Sequence, residues 1–92
     1  MRIGWTAATL RDLEASHAYV AGDNSRAAAH EVEEILSAVD ALSLHPELGR
    51  KGRVPGTREL IVPPFVVAYR ARKLDIELLV IIHRARRWQE LF

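Results

Sequence analysis

Two periodicities divide the chain. Up to residue 45 apolar side chains recur every three or four positions, and beyond residue 57 they alternate or run together. In the first part Leu10, Leu13, His17 and Val20 fall on one stripe, which predicts a helix from Ala7 to about Ala21 with the Thr6 hydroxyl as its N-cap. Gly22, Asp23 and Asn24 break that helix, and Asn24 or Ser25 can cap the next one. Ala28, Val32, Ile35, Leu36, Val39 and Leu42 form the apolar face of a second helix, with Glu31, Glu33, Glu34 and Asp40 largely opposite. Pro46 ends it near His45, because a proline ring crowds a helical residue before it. So short a connection predicts that the two helices pack as an antiparallel hairpin.

Residues 2–5 read as a short strand, and further strands are predicted at 57–62, 65–71 and 76–83. Pro63 and Pro64 force the first turn between them, and residues 72–75 make the second. The run 78–82 is apolar at every position, which predicts a strand buried on both faces. The order β-α-α-β-β-β defines an α+β domain spanning 1–92: an N-terminal helical hairpin packed on a small, mostly antiparallel sheet. One sheet face meets the hairpin. Only residues 84–92 remain to cover the other, which predicts an apolar groove and therefore a partner.

Composition keeps this picture within one small globular domain: 92 residues, 49% hydrophobic and 27% charged. With no cysteine, neither a disulfide nor a thiolate metal site can staple the fold, which fits a reducing cytoplasm. The apolar runs are too short to span a bilayer, and the start, Met1-Arg2-Ile3-Gly4-Trp5, lacks the apolar core of a secretory signal. The expected location is the cytoplasm, without membrane contact.

Charge adds a polarity that the net value of +1 conceals. Residues 1–45 carry three cations (Arg2, Arg11, Arg26) against seven acids, whereas residues 46–92 carry ten cations against five acids. Such a split points to an anionic partner for the second half, or to halves that neutralise each other across the fold. The stretch 46–60 concentrates the effect, interleaving Arg50, Lys51, Arg53 and Arg58 with Gly49, Gly52 and Gly56. These cations can bind phosphates where glycine lets the backbone approach, or they can simply keep an exposed turning loop in solution. Arg58 and Glu59 read as members of a cross-strand ion pair.

Candidate chemistry gathers at the end of the last strand. His83, followed by Arg84, Arg86 and Arg87, can act as a general acid or base on a phosphodiester, the guanidinium groups offsetting developing charge. A strand-end histidine beside a solvated basic tail accounts for the same residues, and one imidazole is not a constellation. Trp88 is the better contact residue of the two tryptophans, with Trp5 and Tyr69 in the core. His17, His30 and His45 show no metal-ligand spacing, so neither a metal nor any other cofactor is expected.

Taken in order, several pieces carry a resemblance over nearly the whole chain. They are Trp5-Thr6 followed by Ala8, Asp12 and Leu13; the second helix; Pro46, Gly49, Gly52 and Arg53; Gly56-Thr57-Arg58-Glu59-Leu60; Val67-Ala68-Tyr69-Arg70; and Ile82-His83-Arg84-Ala85-Arg86-Arg87-Trp88. Together they resemble the RelE/ParE superfamily, the toxins of bacterial type II toxin–antitoxin modules, which include plasmid-stabilising pairs. In the RelE branch the resemblance implies ribosome-dependent mRNA cleavage, with Arg58, His83, Arg84 and Arg86 as the candidate groups. That branch carries an arginine just ahead of the strand motif and a tyrosine near the C-terminus, where this chain has Phe65-Val66 and Phe92. The loop 49–60 and the tail 83–88 look more like the ParE branch, which implies inhibition of DNA gyrase by protein binding, with no hydrolytic site. It further implies a ParD-like antitoxin whose C-terminal segment folds on the toxin, nucleic acid being met only through the target. Arg50, Lys51, Arg53, Arg58, Arg86, Arg87 and Trp88 are then the expected contacts with target or antitoxin.

Overall fold

The computed structural model describes residues 1–22 and 24–83, apart from the side chains of residues 16 and 19–21. The elements run β1 (Arg2–Gly4), α1 (Ala7–Ala21), α2 (Ser25–Leu42), β2 (Arg50–Lys51), β3 (Arg58–Val62), β4 (Phe65–Ala71) and β5 (Asp75–His83). The architecture is α+β as expected. The additional strand β2 lies inside the basic loop and is two residues long, too short to leave a period in the sequence. The sheet order is β1-β5-β4-β3-β2, antiparallel throughout except for the β1–β5 pair. α1 packs on β5 and α2 on β3, with the two helices against each other.

Both helices start where the sequence places them. The Thr6 hydroxyl accepts from the Thr9 N–H at 3.1 Å, and the Thr9 hydroxyl accepts in return from the Thr6 N–H at 2.9 Å. Asn24 Oδ1 accepts from the N–H groups of Arg26 and Ala27, both at 3.0 Å, and so caps α2. The buried face of α2 is Ala28, Ile35, Val39 and Leu42. Leu36 is exposed, because it lies about 100° around the helix from Ile35 and turns away from the sheet.

The inward face of α1 differs from the apolar stripe. Leu10 is 46% exposed and His17 is exposed, while Thr9 is fully buried. The cause is the edge of β5. β1 pairs only with residues Asp75, Ile76 and Glu77, so the β5 backbone beyond them needs other hydrogen-bond partners on that side. α1 supplies them: Thr6 Oγ1 donates to the Leu78 carbonyl at 3.3 Å, and Asp12 Oδ2 accepts from the Ile81 N–H at 3.1 Å. Polar residues of the α1 region face inward where the β1–β5 ladder stops.

The core cluster brings Ile35, Val39 and Leu42 of α2 against Leu60, Val67, Tyr69, Ile76, Leu78 and Ile81 of the sheet, with Trp5 and Leu13 packed at its margin. The unbroken apolar run of β5 has two causes. Tyr69 pairs with Leu78 but Ala68 pairs with Val80, so Leu79 is an extra residue in a β-bulge. The bulge resets the alternation, letting both Leu78 and Ile81 face the helices while Val80 and Ile82 face away. On that second face Val66 and Ile82 are buried, at 1% and 4% exposure, while Ile61, the register partner of Val66, is 36% exposed. A further opening lies beside α2. A cleft of about 580 Å³ separates α2 from the end of β3, lined by Glu33, Glu34, Ala38, Ile61 and Val62.

Candidate functional site

The basic loop that joins α2 to β3 is held against the sheet by a buried phenol. Tyr69, in the middle of the apolar strand β4, is fully buried. Its hydroxyl accepts from the Gly49 N–H at 2.8 Å and donates to the Pro46 carbonyl at 2.7 Å. Burial pushes the Tyr69 phenol above its ordinary value near 10, with the Gly49 N–H and the nearby Arg58 charge pulling the other way. The approach requires glycine: a Cβ on Gly49 would stand 2.7 Å from Tyr69 Cε1 and 2.9 Å from the Glu59 carbonyl oxygen.

Arg58 closes the same turn from the other side. Its Nη1 donates to the Gly49 carbonyl at 2.7 Å and to the Glu47 carbonyl at 3.3 Å. The cross-strand ion pair expected for Arg58 and Glu59 forms for Glu59 alone: neighbours on one strand point to opposite faces, so Glu59 meets Arg50 across the sheet while Arg58 holds carbonyls. Arg50 and Glu59 are register partners across β2 and β3, with Nη2 and Oε1 3.0 Å apart. Glu59 is nearly buried and Arg50 is half-open, so this pair anchors the strand and leaves part of the guanidinium in solvent. Beyond it, Gly52 N–H donates to the Thr57 carbonyl at 2.8 Å and Thr57 N–H to Val54 at 3.1 Å, with Gly56 at φ +83° completing the tight turn. A concavity of about 420 Å³ lies against this turn, with Lys51, Thr57, Arg58 and Ala71 in its wall.

Among the described residues the candidates do not converge. Arg50, Lys51, Arg53 and Arg58 belong to the loop end of the sheet. His83 closes β5 at the other end, edge-on to Phe65 with ring centroids 5.2 Å apart. Arg58 pairs with Tyr69 and His83 with Phe65, so strand geometry separates them by about 13 Å along β4. Arg84, Arg86, Arg87 and Trp88 lie outside the described residues. Among the described residues no cluster of three or more His, Asp or Glu side chains converges as metal ligands. The sequence reading missed Tyr69 and Glu59 as the anchors of the loop. A lone tyrosine in an aliphatic strand, which needs a partner for its hydroxyl, was the available signal for the first. The spacing of Arg50 and Glu59 across a glycine-rich turn was the signal for the second.

Comparison with known proteins agrees with this geometry. The family model described as the ParE toxin of the type II toxin–antitoxin system parDE matches residues 3–88. The protein Y4kP of Sinorhizobium fredii (strain NBRC 101917 / NGR234) is 40% identical over 92 residues, 98% of this chain and 95% of its own length. Toxin RelE2 of Caulobacter vibrioides (strain ATCC 19089 / CIP 103742 / CB 15) is 29% identical over 85 residues, 92% of this chain and 97% of its own. A solved structure titled as the chromosomal ParDE TA system from P. aeruginosa superposes with a TM-score of 0.79 at 30% identity, covering 90% of this chain and 95% of that one. The helical hairpin on a five-stranded mixed sheet is thus the fold of the RelE/ParE toxin superfamily. Within it the chain belongs to the ParE toxin family of type II toxin–antitoxin systems.

Proposed function

We propose that this ParE-family toxin acts by binding DNA gyrase, without a hydrolytic site of its own, and is neutralised by a ParD-like antitoxin. The separation of His83 from Arg58 carries the first part. Phosphodiester cleavage needs a proton-transfer group and charge-neutralising groups around one phosphate, and these two stand at opposite ends of the sheet. The Tyr69 hydroxyl in the loop site is already engaged in donating and in accepting. Arg58 has both backbone carbonyls to hold, which makes it a positioning residue.

Support for the antitoxin comes from the ParDE system in the structural neighbour and from the cleft beside α2. The cleft has Ile61 and Val62 in its wall, with the exposed Leu36 on the same helix, so a partner segment can fold there and bury apolar surface. Acids of the antitoxin then meet the basic loop at Arg50, Arg53 and Arg58, and the tail at Arg86 or Arg87. Binding should be nanomolar or tighter, with an on-rate that falls as salt rises and a melting temperature raised by mass action. The expected place of action is the cytoplasm, where gyrase works, and no helix among the described residues is long and apolar enough to cross a membrane.

Two assays on the purified toxin test the reading. Gyrase with plasmid and toxin should accumulate double-strand breaks held by a trapped cleavage complex. Primer extension on translated transcripts should show no new ends. Cuts that vanish with Arg86→Ala would replace the gyrase reading by mRNA cleavage.

A further inference from the structure

The charge split along the sequence becomes a split in space, because five strands end together at one edge of the molecule. Across the order β1-β5-β4-β3-β2 that edge presents Arg2, Asp75, the Arg70–Arg72 turn, Arg58 and Lys51 in succession. With strands about 4.8 Å apart, the rim is about 19 Å long from β1 to β2. The acidic stretch of α2, with Glu33 and Glu34, lines the cleft at the other end, against Val62 and Pro63.

Some of the rim is internally neutral. Arg72 grips Asp75 with Nε and Oδ1 2.7 Å apart, Arg70 approaches Glu77 at 3.6 Å, and Arg50 is matched by Glu59. Lys51 and Lys73 are exposed and have no carboxylate partner among the described residues. Arg58 is bound to carbonyls, which hold its guanidinium in place without cancelling the charge. Three cations thus stand in a row with their charge unanswered. Two aliphatic side chains project beside them, Val54 at 60% and Leu74 at 84% exposure, each at the tip of a tight turn.

We infer that this rim binds the sugar–phosphate backbone of duplex DNA directly, in the absence of gyrase. A row of cations suits a linear anion, and duplex DNA carries one charge per about 1.7 Å of its axis. A folded acidic protein would match a broad patch instead, and here Lys51 and Arg58, register partners on one face, and Lys73 in the next turn follow a single sheet edge. A single strand is disfavoured too. Its affinity rests on exposed aromatic platforms. Among the described side chains Phe65 and Tyr69 are buried and Trp5 is half-buried. The contacts are with phosphates and not with base edges, so the binding is independent of sequence. Acids of the antitoxin would occupy the same cations, so neutralisation and release from DNA would coincide.

The test is fluorescence anisotropy of a short labelled duplex with the full chain, and no gyrase present. Binding in the range of about 10⁻⁴ to 10⁻⁶ M is expected. Three phosphate contacts give a slope of log K against log salt near −2.7, or a loss of about fortyfold between about 50 and 200 mM salt. The double variant Lys51→Ala/Lys73→Ala removes two exposed, unpaired cations and should keep the native circular dichroism, while its slope falls to about −0.9. No binding at low salt, or a slope that the double variant leaves unchanged, overturns the inference. So does a single strand bound as tightly as the duplex. Gyrase inhibition without duplex binding would leave the toxin reading standing and remove only this one.

Discussion

Replacing Tyr69 by phenylalanine deletes a single oxygen and tests what holds the basic loop. The ring remains in a fully buried site, so packing is unchanged, but the Gly49 N–H and the Pro46 carbonyl both lose their partner. Gly49 is buried, and stranding its N–H costs about 1–3 kcal/mol. Pro46 is only half-buried, so its carbonyl can recruit water, and losing that bond costs about 0.5–1.5 kcal/mol. The sum is about 1.5–4.5 kcal/mol, a large share of the roughly 5–15 kcal/mol that holds a domain of this kind together. A melting temperature lower by on the order of 6–36 °C follows for this chain length. Urea unfolding of both proteins is the assay, with the m-value unchanged because the same surface is exposed. A loss below about 0.5 kcal/mol would refute the reasoning and leave the loop held by Arg58 and the Arg50–Glu59 pair alone.

Other expectations follow from the same geometry. Gly49→Ala should destabilise by about 1–3 kcal/mol, since the new methyl meets Tyr69 and the Glu59 carbonyl; Gly56→Ala meets open space, and its cost of about 1 kcal/mol comes from the positive φ alone. Thermal melts of the pair separate crowding from backbone strain. Asp12→Ala should cost about 1–2 kcal/mol by stranding the Ile81 N–H, and Asp12→Asn, which keeps a carbonyl acceptor, should recover more than half of it in urea titrations. The raised pKa of Tyr69 means that the folded state holds its proton more tightly than the unfolded chain does. Stability should be unaffected by this group below about pH 10 and decline as pH rises toward its folded value; Tyr69→Phe should remove that component from a pH series of melts.

Much of the fold could be read from periodicity. The caps at Thr6 and Asn24, the buried face of α2 and the three long strands are local features, each written in a few neighbouring residues. What escaped depends on residues far apart in the chain. That α1 turns Thr9 and Asp12 inward and leaves Leu10 exposed follows from how far β1 runs along β5, and no helical stripe contains that information. The bulge at Leu79 is equally hidden, because a run of apolar residues looks the same whether two faces are buried or one face is reset. At the site, the sequence displayed the cations but not their occupations. Arg50 is tied to Glu59 and Arg58 to the carbonyls of Glu47 and Gly49, whereas Lys51 and Lys73 have no carboxylate partner among the described residues. On the second sheet face hydrophobicity alone did not distinguish the buried Val66 and Ile82 from the exposed Ile61 beside them.

The central claim is that the toxin works by occupying gyrase and not by cutting RNA. Its most direct test is supercoiling of relaxed plasmid by purified gyrase, titrated with the toxin and then with its antitoxin. Inhibition is expected as the toxin reaches stoichiometric excess, with activity restored once antitoxin equals toxin. Supercoiling that proceeds undiminished at large toxin excess, with no cleavage complex formed, would contradict the account.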